Sequence, residues 1–117
     1  MGFDLYCLRE QNTVVTRISG SLEDADLVAH LINLKSKTTG MQVLRSLSDC
    51  REITDVSRMT TEATTIAADL EVEKPDCLFA ILIPPDNPVV FGLARAFQTF
   101  TEEKYKEVKI FTDFDEA

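Results

Sequence analysis

Seven non-polar residues run without a break from Cys77 to Ile83. A strand with one face in water alternates apolar and polar positions, so this run predicts a central parallel strand covered on both faces. The corner that follows, Pro84-Pro85-Asp86-Asn87-Pro88, reads as a loop leading into a helix. Asn87 is a good N-cap, and Pro88 at the first helical position loses no hydrogen bond. The helix is expected to reach about Glu103, with Leu93, Ala94, Phe97 and Phe100 turned inward.

Phe3–Arg9 and Thr13–Ser19 alternate as strands and are separated by Glu10-Gln11-Asn12, the spacing of a hairpin. Val14, Thr16 and Ile18 share one side of the second strand; Val15, Arg17 and Ser19 share the other. Gly20 is expected to end that strand, with Ser21 capping a helix through Asp24. Ala25, Val28, Leu31 and Ile32 repeat at helical spacing. Lys35 and Lys37 suit the C-terminal dipole, and Thr38-Thr39-Gly40 closes the helix. Met41–Asp49 reads as a third strand and Cys50–Met59 as a polar loop. A second helix is expected from about Thr61, with Thr60 as N-cap and Ala63, Ile66, Ala67 and Leu70 as its apolar stripe. Glu107–Thr112 gives a fifth strand, and residues from Thr112 to Glu116 resemble the first turn of a further helix.

The order β-β-α-β-α-β-α-β, with a terminal α begun, predicts an α/β fold. Its single mixed five-stranded sheet would carry flanking helices, with strands two to five parallel through right-handed crossovers. The alternation in strands two and three puts the helices preferentially on one face. No repeat, low-complexity tract or linker divides the chain, so its 117 residues are expected to form one domain.

Charge narrows the function classes. A net charge of −8 with scattered basic residues argues against nucleic acid as a partner. No segment is long and apolar enough to span a bilayer. The N-terminal MGFDLYCLRE has no basic start, and Tyr6 stands where a myristoylation motif needs Ser or Thr. A soluble cytoplasmic protein is expected. Cys7, Cys50 and Cys77 make no CxxC pair and read as reduced, structural thiols.

The hairpin ending VVTRISGSL, the segment SLSDCREIT, and PVVFGLARAFQTF followed by VKIFTDFDEA resemble the STAS/SpoIIAA-like superfamily. These are small domains related to the sporulation anti-anti-sigma factor. The resemblance covers nearly the whole chain as a loose pattern. It implies a SpoIIAA-like fold and a role in protein–protein regulation or, in some relatives, small-ligand binding. In the anti-anti-sigma members a strand-end Asp precedes a phosphorylatable Ser or Thr and a Gly at a helix start. Asp49 matches the Asp, and Ser57, Arg58, Thr60 and Thr61 span the place of the phospho-loop. The Gly is absent and Arg58 stands near the acceptor position, so Thr60 reads more simply as a cap.

Other candidates carry weak chemistry. His30 reads as a partly exposed helix residue, and a dyad with Cys50 has no motif spacing behind it. A lone histidine with unclustered cysteines supplies no transition-metal site. Asn87, Phe91 and Arg95 could form a ligand corner beside Pro84–Pro88, with Arg95 either an anion clamp or a structural ion pair. Asp49, Asp55 and Asp86 could gather at strand ends, where loops are polar in any case. Gly92 inside a helix suggests close packing. No catalytic set, metal or cofactor is implied. The expected role is a regulatory interaction module; a small apolar ligand held between the Pro88 helix and the sheet is the alternative. The half-apolar sheet face left by one-sided helices predicts a homodimer or a protein partner.

Overall fold

A computed structural model of the chain describes residues 2–58 and 74–112, with only the backbone described at 57 and 58. Five strands form one sheet in sequential order: β1 (Gly2–Leu8), β2 (Thr13–Glu23), β3 (Arg45–Arg58), β4 (Lys74–Leu82) and β5 (Tyr105–Phe111). β1 is antiparallel to β2, and the remaining pairs are parallel. Helix α1 (Asp24–Lys37) joins β2 to β3, and α2 (Pro88–Thr101) joins β4 to β5. The α/β class and the mixed sheet agree with the sequence pattern. The helix expected from Thr61 and the turn after Thr112 lie outside the described residues.

Side-chain alternation divides the sheet cleanly. Val14, Thr16 and Ile18 are buried on the face that receives the helices, continuing across Phe79 and Ile81 to Val108. The hairpin turn is a short 3-10 segment at Arg9–Gln11, and Asn12 takes the left-handed conformation (φ 52°) that reverses the chain.

Several boundaries differ from expectation. Gly20 does not end β2, which runs on to Glu23 with register shifts on either side of Ser21. Gly20 has a positive φ of 81°, so it serves as a bend inside the strand. The segment expected as a polar loop, Cys50–Met59, is instead strand through Arg58, pairing with Ser19–Glu23. Ile53 and Val56 are buried there, three residues apart rather than two, which hid the strand from a search for alternation.

The cap of α1 is Glu23, not Ser21. The Asp26 side chain accepts a hydrogen bond from the Glu23 backbone N–H (3.0 Å), closing a capping box. The inward stripe of α1 is also rotated from the expected one. His30 and Leu31 are buried with Leu27 and Leu34 half-buried beside them, while Ala25 is exposed and Ile32 is 63% exposed.

β4 is an interior strand with parallel neighbours on both sides, but it is not covered on both faces. Leu78 is 40% exposed on the face away from the helices, and Ala80 is only half-buried. Among the described residues that face is a partly open one.

In α2, Asn87 Oδ1 accepts from the Val90 backbone N–H (3.1 Å), and Pro88 starts the helix as expected. Val90, Ala94 and Thr101 are buried on its inner side; Phe100 faces out at 42% exposure. Gly92 is exposed, and a Cβ there would meet nothing within 4 Å, so close packing is not its reason. Gly92→Ala is therefore expected to stabilise the domain by roughly 0.4–1 kcal/mol, by cutting unfolded-chain entropy at a helical position. Equilibrium urea unfolding checks this; a loss of stability would mean the site makes a contact the fold does not show.

Candidate functional site

The two described helices on this sheet face leave space between them wherever their side chains do not meet. A hollow of about 110 Å³ lies there. Leu27, His30, Leu31 and Leu34 of α1 line it, and Val90, Leu93, Ala94 and Phe97 of α2 do the same. Thr16, Ile18, Ser46, Ser48, Cys50, Phe79 and Ile81 contribute from the sheet. The lining is overwhelmingly apolar. No Lys, Arg, Asp or Glu belongs to it among the described residues. Phe79 closes one side through edge-on contacts with Phe97 (ring centroids 6.0 Å) and Tyr105 (4.9 Å).

His30 is the unusual member. Its ring stacks on Phe3 at 4.6 Å with planes 12° apart, which fixes its orientation, and it is only 7% exposed. Nδ1 has no hydrogen-bond partner among the described residues. Burial pushes the imidazole pKa from 6.5 down to about 4, so the ring is neutral at ordinary pH. The expectation of a partly exposed histidine is thus corrected. A stripe through Ala25 and Ile32 would turn His30 outward, but both of those residues are exposed.

Cys50 lines the same hollow, yet the two residues do not form a dyad. Its Sγ approaches the Ser48 carbonyl oxygen (3.9 Å) as a donor. Burial, and then the Asp49 charge, push the thiol up to about 12. A nucleophilic cysteine needs the opposite shift.

Asp49 is buried partway along β3, where β4 pairing ends, rather than at a strand end. Arg51 clamps it, with Nε donating to Oδ1 (3.0 Å), Nη2 to Oδ2 (2.8 Å), and the backbone N–H to Oδ1 (3.2 Å). Arg17 approaches at 3.9 Å. The hydrogen bonds from Arg51 hold the carboxyl below the usual carboxylate range. β2 advances two residues from Arg17 to Ser19 while β3 advances three, from Asp49 to Glu52. The Asp49 side chain bonding two residues ahead stabilises that bulge.

The other sequence candidates do not gather. Ser57 and Arg58 belong to β3 by backbone, and Thr60 and Thr61 lie outside the described residues. Asn87 is occupied as a cap. Phe91 is 47% exposed and does not line the hollow. Arg95 is exposed and donates through Nη1 to Gln98 Oε1 (2.9 Å) instead of meeting a carboxylate. Asp55 and Asp86 are exposed, and the described residues hold no cluster of three or more metal-ligating side chains. None of the described helices is long and apolar enough to cross a membrane.

Comparison with known proteins finds no family model and no curated protein that matches this chain.

The histidine offers a test of the site's burial. The unfolded chain binds a proton near pH 6.5, whereas the fold resists it until about pH 4. Stability present above pH 6.5 is therefore lost as pH falls toward 4, by on the order of 3 kcal/mol at the full shift. His30→Phe removes this term and leaves every other titration in place. Urea midpoints at pH 7 and pH 4.5 should draw together or cross between wild type and variant. Parallel changes would mean that His30 titrates in the fold as it does in water.

Proposed function

We propose that this domain is a binding protein for a small, neutral, apolar ligand held between α1, α2 and the sheet. The observation that carries this reading is the hollow itself. Protein interiors are close-packed, and α2 brings Ala94, the smallest of its lining side chains, to the wall. An engineered apolar cavity of roughly 150 Å³ is enough to admit benzene, and this one approaches that size. The described lining supplies no charged side chain to hold an ionic ligand, and an unpaired ion buried against it would be strongly disfavoured.

Benzene is the direct probe. It should perturb amide signals of Phe79, Ala94 and Phe97 in wild-type protein and raise the melting temperature. Ala94→Leu should fill the space, keep the fold and abolish both effects. Undisturbed spectra at saturating benzene would sink the reading.

A second reading, a STAS-like interaction module, is favoured by the open face of the sheet. Leu78 stands exposed on an interior strand beside Val15, Leu47 and Ala80, with Tyr6 and Leu8 exposed on β1. Strand register puts Arg17, Arg45 and Lys109 on this face with Asp4, Asp49, Glu52 and Glu107. Three cations meet four anions there, in a chain whose net charge is −8. A half-apolar patch whose charges nearly cancel, on an acidic molecule, suits a second copy of the same chain, because self-repulsion is low there. Sedimentation equilibrium should show a weak dimer that Leu78→Lys converts to monomer without lowering the melting temperature. A wild type that stays monomeric at millimolar concentration excludes it.

A further inference from the structure

We infer that two copies of this chain pack through the open sheet face about a two-fold axis that crosses the strands. Leu78 of each copy then seats over Ala80 of the other, and Glu107 of each meets Lys109 of the other. This rests on the self-association reading above and adds to it the one arrangement that the surface fits.

Strand register sets the open face out in rows two residues apart. One row runs Leu8, Thr13, Arg45, Leu78 and Glu107 from β1 to β5, and the next runs Tyr6, Val15, Leu47, Ala80 and Lys109. A groove of about 440 Å³ follows these two rows from β2 to β5. On β4 the rows differ most in bulk. Leu78 stands 40% exposed, whereas Ala80 supplies the smallest side chain of either row.

A two-fold axis lying between the rows and perpendicular to the strands exchanges them. Each residue of one row then faces, on the second copy, its neighbour two positions along the same strand. Leu78 faces Ala80, a large side chain over a small one, and symmetry makes the contact twice. Glu107 faces Lys109 with opposite charge, again twice. Within one copy Lys109 Nζ lies 3.2 Å from Glu107, and the two side chains are 60% and 50% exposed, so both remain accessible across the axis. Arg45 is exposed and faces Leu47, which its apolar stem covers while the guanidinium reaches past. The strands of the two sheets run antiparallel and nearly aligned, one of the two ways in which sheets pack face to face. An axis along β4 would bring Arg45 to Glu107. It would also stack Leu78 on Leu78 and leave Ala80 facing Ala80 across a gap, which well-packed interfaces avoid.

The full-length charge-reversal variants Glu107→Lys and Lys109→Glu test the axis. Each repels itself across it, whereas a mixture of the two restores both attractive pairs. Sedimentation equilibrium should show self-association weakened about tenfold in each variant and recovered in the mixture as a heterodimer. Isotope-filtered NOEs between 13C-labelled and unlabelled wild type read the packing without any substitution: Leu78 methyls of one copy should meet the Ala80 methyl of the other. Leu78-to-Leu78 contacts instead would overturn the axis. So would variants that associate as strongly as wild type, or a mixture no tighter than either variant alone. All three of those results leave a dimer through the open face standing. Wild type that stays monomeric at millimolar concentration would remove the self-association reading itself, and the axis with it.

Discussion

A right-handed crossover between adjacent parallel strands delivers its helix to one particular face of the sheet, and stepping repeatedly in the same direction selects that same face. In this chain the strand order is sequential from β1 to β5. α1 and α2 both follow from that geometry and pack on the side lined by Val14, Phe79 and Ile81. Everything of functional interest is a consequence. One face is built into a core with a hollow between the helices; the other keeps Leu78, Val15 and Leu47 incompletely covered.

The same constraint explains why β4 is entirely apolar from Cys77 without being sealed on both sides. Its inner residues, Cys77, Phe79 and Ile81, meet the helices and are 7% exposed or less. Its outer residues grade from Leu78 at 40% exposure through half-buried Ala80 to Leu82, which is fully buried. The exposed end of that row, at Leu78, forms no useful contact unless something else covers it.

The long β2–β3 pair gives the hollow its depth. Both strands continue past the end of β4 pairing, and the bulge held by Asp49 and Arg51 changes which residues of β3 face the helices. Cys50 within that bulge, and Ile53 and Val56 beyond it, reach the lining. Asp49 therefore has a structural reason to be buried and ionised, one that needs no regulatory role. Resemblance to a strand-end aspartate made it visible in the sequence, and backbone pairing shows what it does here.

Local chemistry was legible in the residues themselves. The hairpin turn at Glu10-Gln11-Asn12, the Asn87-Pro88 helix start, the order of elements and the one-sided alternation of β2 each depend on neighbours a few positions apart. The candidate site was less legible. Val90, Leu93, Ala94 and Phe97 follow a helical stripe and could be read in part. His30 could not, because a 14-residue amphipathic helix with hydrophobic residues at Ala25, Val28, Ile32 and Leu34 permits more than one inner face. Only packing of α1 against Phe3 and the sheet decided which face turned in. The strand from Cys50 to Arg58 was equally hidden, since a bulge breaks the two-residue period that betrays a strand. The sequence by itself determined the class and order of elements, because propensity and periodicity act locally. Tertiary structure alone decided which face of α1 is buried, that Phe91 and Arg95 stand apart from the site, and that His30 is buried in the wall of an apolar hollow. Those outcomes depend on contacts between residues far apart in the chain.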